Sequence, residues 1–121
     1  ILGGKRFIAQ LVDEKRSPDQ NSLSHALYTQ VAAQLDDQSV ADVRAQCKLE
    51  HGVPILRAGD DKFRESYDKI VRPHDYETKL EFMAWFPVTS LMGKKQFSEY
   101  LDTVIRHYSQ QGVSILMPGE A

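Results

Sequence analysis

The sequence predicts a helix-rich α+β domain with a small sheet, and three patterns carry that expectation. Apolar residues recur at three- and four-residue intervals through most of the chain, the mark of amphipathic helices. A short stretch near each end instead reads as a strand, the first of them apolar on both parities, as a covered strand is. The 121 residues, 41% of them apolar and 26% charged, suit one globular core and give no sign of a linker, a repeat or a low-complexity tract. The whole of 1–121 therefore reads as a single domain. Because the chain opens on Ile1 and strand-like sequence starts almost at once, it also reads as lacking an N-terminal segment.

Residues 5–12, KRFIAQLV, place Phe7, Ala9 and Leu11 on one parity and Ile8 and Val12 on the other, which predicts a largely covered strand. The charged run 13–16 is a solvated loop. Ser17-Pro18-Asp19-Gln20 then combines a cap, proline at the first helical position, an acid at the positive helix end and a glutamine three residues after the cap. A helix starts there, and Leu23, Ala26, Leu27, Val31 and Leu35 give it one buried stripe as far as Asp36-Asp37.

Ser39 and Asp42 predict a second cap. The helix behind it turns Val40, Val43 and Cys47 inward, carries Arg44 and Lys48 on another face and stops near Gly52, with Val53-Pro54 as breaker. A third helix spans about 61–71 with Phe63, Tyr67, Ile70 and Val71 inward and an acid-first Asp68–Arg72 pair outside, ended by Pro73. Residues 76–86 fit either a helical stripe or a buried strand ending at Phe86, and helix is the preferred reading. After Pro87, Thr89 or Ser90 caps the last helix, about 94–111, whose face is Phe97, Tyr100, Leu101, Val104, Ile105 and Tyr108. Gly112 ends it, and Val113–Met117 reads as a terminal strand.

Composition narrows the chemistry. A single cysteine, Cys47, rules out an internal disulfide and a four-cysteine zinc site, and it reads as a small buried apolar residue. No stretch has the ~20 apolar residues of a membrane span and no secretory leader is visible, so the expected location is the cytoplasm. Walker, dinucleotide-binding and nucleophile-elbow motifs do not occur, so neither an enzyme nor a cofactor is expected. The four histidines, at 25, 51, 74 and 107, are not paired at a spacing that puts two on one helical face, and no metal site is assigned. His74, Asp75 and Glu77 are the best set for a metal-dependent nuclease, although Asp75 is more simply a helix cap after Pro73.

The formal net charge of −2 does not itself advertise nucleic acid, so any such reading rests on charge distribution. Lys5-Arg6, Lys15-Arg16, Arg44 with Lys48, and Lys94-Lys95 fall in loops, near helix starts or on an outward face. Cations scatter over any soluble surface, so this pattern alone decides little. Gln20 and Asn21 can bond bases or phosphates, but Gln20 is also accounted for as the reciprocal partner of the Ser17 cap. Tyr28 and Trp85 are candidates for stacking on single-stranded bases, and core packing explains both equally well.

Two segments resemble the phage NinB/Orf recombination family. Residues 15–35, KRSPDQNSLSHALYTQVAAQL, are similar to that family's basic Arg-Ser-x-Asp-Gln-Asn helix opening, and GKRFIAQLVDE precedes them where the family has a strand. Residues 87–117 resemble its Thr-Ser-x-Met cap, its Phe-x-Glu-x-Leu helix and the following Gly-Val turn. The two matches cover roughly half the chain in the family's order, while 36–86 agrees only in helical character and the family's extra N-terminal sequence is not present. The resemblance implies a mixed α/β homodimer around a channel or cleft. It implies non-sequence-specific DNA binding, with single strands preferred, and help in loading recombination machinery onto strands coated by single-strand-binding protein in the host cytoplasm.

Carried over by position, the resemblance singles out Arg16, Ser17, Asp19, Gln20 and Asn21, and then Thr89, Ser90 and Met92. Arg16 and Asn21 would touch DNA, and the others would mainly cap and pack. Together with the charge pattern, the expected DNA-binding set is Lys15, Arg16, Gln20, Asn21, Arg44, Lys48, Lys94 and Lys95. The rival readings are a protein-interaction adaptor of phage replication or recombination and the metal-dependent nuclease.

Overall fold

The computed structural model describes residues 18 to 116, and among these no strand forms. The described part is all-α, which corrects the expected α+β class and its small sheet. The predicted strand at 5–12 lies outside the described residues, as does Met117. Residues 113–116 carry no regular secondary structure.

Six α-helices follow in order: α1 (Pro18–Gln34), α2 (Val40–Cys47), α3 (Val53–Gly59), α4 (Asp61–Ile70), α5 (Tyr76–Met83) and α6 (Lys94–Gln110). A π-helical segment, Lys48–Gly52, joins α2 to α3, and a 3-10 turn, Thr89–Leu91, precedes α6. The helix starts follow local chemistry. Proline stands first in α1, as its fixed φ and missing N–H allow. Ser39 and Asp42 form the reciprocal cap of α2, with Asp42 N–H donating to Ser39 Oγ at 3.1 Å and Ser39 N–H to Asp42 Oδ2 at 3.0 Å. Asp60 accepts from Phe63 N–H and Asp75 from Thr78 N–H, capping α4 and α5. Thr89 and Ser90 do not cap α6, contrary to expectation. They lie in the 3-10 turn, Met92 is buried behind it, and Gly93 is the cap residue, its N–H 3.4 Å from Gln96 Oε1.

The largest departure lies at 48–59. The second helix was expected to stop near Gly52 with Pro54 as breaker, but the chain stays helical from Val40 to Gly59. Proline is tolerated because Pro54 sits in the first turn of α3, next to the widened π turn, where the strain of a missing donor is least. Gly52 is buried, and a methyl group there would lie 2.7 Å from Val88 Cγ1, so its role is close packing rather than helix termination.

The core runs through all six helices, with Leu27, Val31, Val43, Leu56, Met83, Val88, Phe97, Tyr100 and Val104 almost wholly buried. Val71 is buried as expected, whereas Ile70 is half exposed. Polar contacts stitch the core together: Tyr28 and Tyr100 share a hydroxyl hydrogen bond of 2.7 Å, and the Cys47 thiol donates to Tyr108 Oη at 3.8 Å. Arg57 of α3 grips Asp68 of α4 through two hydrogen bonds, of 2.8 and 2.7 Å, and Arg72 joins the same carboxylate at 3.4 Å.

At its tail α6 closes in the way its sequence predicts. Gly112 takes φ +88°, Val113 N–H returns to Tyr108 O at 3.0 Å and Gly112 N–H to Ser109 O at 3.1 Å. The chain beyond is held by two glutamines of α1. Gln30 both donates to and accepts from the backbone of Leu116, each at 2.7 Å, and Gln34 does the same with Ser114 at 2.7 and 2.9 Å. One helical turn, about 6 Å over four residues, matches two residues of extended chain at about 3.3 Å each. The segment thus docks through its main chain.

Candidate nucleic-acid interface

The head of α1 is fastened to the head of α6. Gln20 is buried, and its Nε2 donates to Lys94 O at 3.2 Å and to Ser98 Oγ at 3.0 Å. Since Gln34, at the tail of α1, reaches Ser114 just past the tail of α6, the two longest described helices run side by side in the same direction. Their positive dipole ends are therefore neighbours, a setting that favours anions.

Around this junction Asn21, Lys94 and Lys95 are exposed. Lys15 and Arg16 precede Pro18 in sequence and lie outside the described residues, as do Ser17 and the side chain of Asp19. The structure thus brings Gln20, Asn21, Lys94 and Lys95 of the expected set together. Gln20 serves as the internal tie, its amide donors directed at α6.

The other expected pair is split. Arg44 stands exposed on α2, but Lys48, expected on an outward face beside it, is buried with 2% of its surface accessible. Its ammonium donates to Met83 O, at the carboxyl end of α5. The cause is the π turn: Lys48 is its first residue, and the change of helical phase swings the side chain inward, where the negative end of α5 receives it. Burial, assisted by the charge of Arg44, pushes the Lys48 amine down to about 8. A lysine so placed does not meet a phosphate.

Of the two stacking candidates, Tyr28 is buried and hydrogen-bonded to Tyr100, so it is core. Trp85 is 66% exposed, with its ring set edgewise to Phe82 and Phe86 at centroid distances of 5.2 and 6.1 Å. A propped, exposed indole can stack on a base.

His74, Asp75 and Glu77 do not converge as ligands. Asp75 is the cap of α5, its carboxyl held below the usual carboxylate range by hydrogen bonds from the Thr78 side chain and N–H. The His74 ring packs at 5.4 Å from Phe82.

Another cluster does converge. Glu50 and His51 of the π segment meet His107, in the last turn of α6, and one ligand atom from each lies within 4.8 Å of the other two. The imidazole centroids are 4.6 Å apart. Burial, together with the neighbouring His107 and against the pull of Glu50, lowers the affinity of His51 for a proton. The spacing of histidines along any one helix does not reveal this set, because its members come from two elements.

Comparison of the chain with protein-family models, with curated proteins and with solved structures finds no match. Among the described residues no helix is long and apolar enough to cross a membrane.

Proposed function

We propose that this protein binds DNA without sequence preference, single strands above all, as a homodimeric accessory factor of phage-type homologous recombination. The observation that carries the DNA-binding part is the Gln20 bridge, which sets the positive ends of α1 and α6 side by side and gathers Asn21, Lys94 and Lys95 around them. Lys15 and Arg16, three and two residues ahead of Pro18 in sequence, belong to the proposed set of phosphate contacts. The recombination role and the preference for single strands rest on the resemblance of 15–35 and 87–117 to the NinB/Orf family, with the exposed Trp85 as a base-stacking platform in support.

Binding would be led by phosphate contacts, with Asn21 adding hydrogen bonds. Dimerisation would double a small set of cations on a chain of net charge −2, leaving the acidic remainder to repel DNA from other faces. The rival adaptor reading would show no salt-sensitive oligonucleotide binding.

Titration of a fluorescent oligonucleotide across a salt series tests the proposal, with sedimentation analysis reporting the oligomer. Affinity should fall steeply with salt. Removing two phosphate contacts in Lys94→Ala/Lys95→Ala should reduce the log–log slope for single strands by about 1.4, at roughly 0.7 per contact. Failure to retain DNA at low salt, or an unchanged slope in the double variant, would reject this interface.

A further inference from the structure

We infer that Glu50, His51 and His107 form a binding site for a first-row divalent transition metal ion, zinc foremost, at the carboxyl end of α6. The inference is independent of the DNA-binding proposal, since none of its residues belongs to the interface assigned above.

The donor set comes first. Two imidazoles and one carboxylate are a ligand combination that zinc accepts, whereas magnesium and calcium favour all-oxygen shells. The geometry comes second. Ligand atoms at about 2.1 Å from a tetrahedral ion stand about 3.4 Å apart. The three atoms here already lie within 4.8 Å of one another, so small side-chain rotations close the set. Glu50 is exposed and both histidines are partly so, leaving room for those rotations and for solvent as a fourth ligand.

The surroundings suit a cation. His107 lies in the last turn of a 17-residue helix, where the dipole is negative. The Glu50 carboxylate accepts a hydrogen bond from the Tyr76 hydroxyl, and Gln111 Nε2 stands 3.0 Å from His107 Nε2. Such outer partners orient ligands in metal sites, and Gln111, exposed beyond α6, can swing aside to release the ring nitrogen. The backbone supplies an independent pointer. Glu50 and His51 are consecutive residues of a π segment, a helical distortion frequent at functional sites. The widened turn directs both side chains toward α6.

An ion bound here would tie the π segment to α6 and so link two elements far apart in sequence. With three protein ligands and an open position, it would also retain a water molecule.

Isothermal titration of the metal-free chain with zinc chloride tests the site, with cobalt(II) as spectroscopic probe and magnesium as comparison. The expected result is one zinc per chain, visible cobalt absorption, no comparable magnesium binding, and a thermal midpoint raised by zinc. His107→Ala and Glu50→Gln should each weaken zinc binding by about 100-fold or more, beyond the loss typical of an outer partner. His74→Ala should leave it intact. Zinc added to the unsubstituted chain should shift the imidazole nitrogen resonances of His51 and His107 and leave those of His25 and His74 in place, a readout that needs no variant to fold. Lack of zinc binding, affinity unchanged in Glu50→Gln and His107→Ala, or resonance shifts confined to other histidines would overturn the inference.

Discussion

Cys47 and Lys48 are neighbours in sequence, both are buried, and they respond to alkaline pH in opposite senses. Burial is the main cause for each: it drives the thiol up to about 12 from an ordinary value of 9.0 and the amine down to about 8 from 10.5. A raised folded-state value means that the thiol's contribution to stability is complete below pH 9 and is lost as pH climbs toward 12. The depressed amine acts the other way. Between about 8 and 10.5 the unfolded chain holds the extra proton, so stability rises with pH in that window. The raised hydroxyls of Tyr100 and Tyr108 add to the fall at higher pH. Urea titrations at stepped pH should therefore find a broad maximum near pH 9, with each unopposed group contributing up to about 1.4 kcal/mol per pH unit. Cys47→Ala should move that maximum to higher pH, and Lys48→Met should remove the rise from pH 8. A maximum fixed at one pH in both variants would contradict the assignment. The fate of Cys47 as a buried apolar residue was legible from its place on the inner stripe of a helix. The burial of Lys48 was not, because it depends on a change of helical phase that the apolar spacing does not announce.

At the scale of elements, the π segment shaped most of what the sequence concealed. Its widened turn carries the helix through Gly52 and Pro54, buries Lys48 and points Glu50 and His51 at α6. Gly52 is the tightest point, since an added methyl group would meet the stiff side chain of Val88 at 2.7 Å and face Met92 and Tyr100 at 3.5 Å. Overpacking of this kind costs about 1–3 kcal/mol, against which the intrinsic helical advantage of alanine over glycine recovers roughly 1 kcal/mol. Gly52→Ala should be destabilising by about 1 kcal/mol in chemical denaturation. The same substitution made on Val88→Ala should cost nothing further, because the obstructing atom is gone. A full penalty in that second background would show that the close approach is not its cause. By contrast, α1, α4 and α6 were legible to within a few residues, because proline at a first position, an acid-first pair and a C-terminal glycine are all local signals. Residues 113–116 have a strand-like composition, but the partner that meets their backbone is a pair of glutamine side chains. A strand reading from composition supplies no way to tell such a partner from a neighbouring strand.

Taken whole, the molecule has an electrical polarity set by two helices that run the same way. Their amino ends carry Lys94 and Lys95, where the proposed DNA contacts lie, and the carboxyl end of α6 carries His107, where the inferred metal lies. Neither gathering was legible from spacing along one element. The Lys94 end depends on the Gln20 bridge, and the His107 end on the meeting of the π segment with α6. The parallel course of α1 and α6 also bears on the order in which the molecule assembles. The polar ties joining α1 to α6 and to the tail beyond it span 74 to 86 residues of chain, so each closes a long loop. Contacts of such range are entropically slow to form, whereas α2, the π segment, α3 and α4 each pack on their neighbours in sequence. In stopped-flow kinetics, Gln30→Ala and Gln34→Ala should hasten unfolding while leaving the refolding rate nearly unchanged, the mark of interactions made after the rate-limiting barrier. Refolding slowed in step with lost stability would instead put the docking of 114–116 onto α1 in the nucleus.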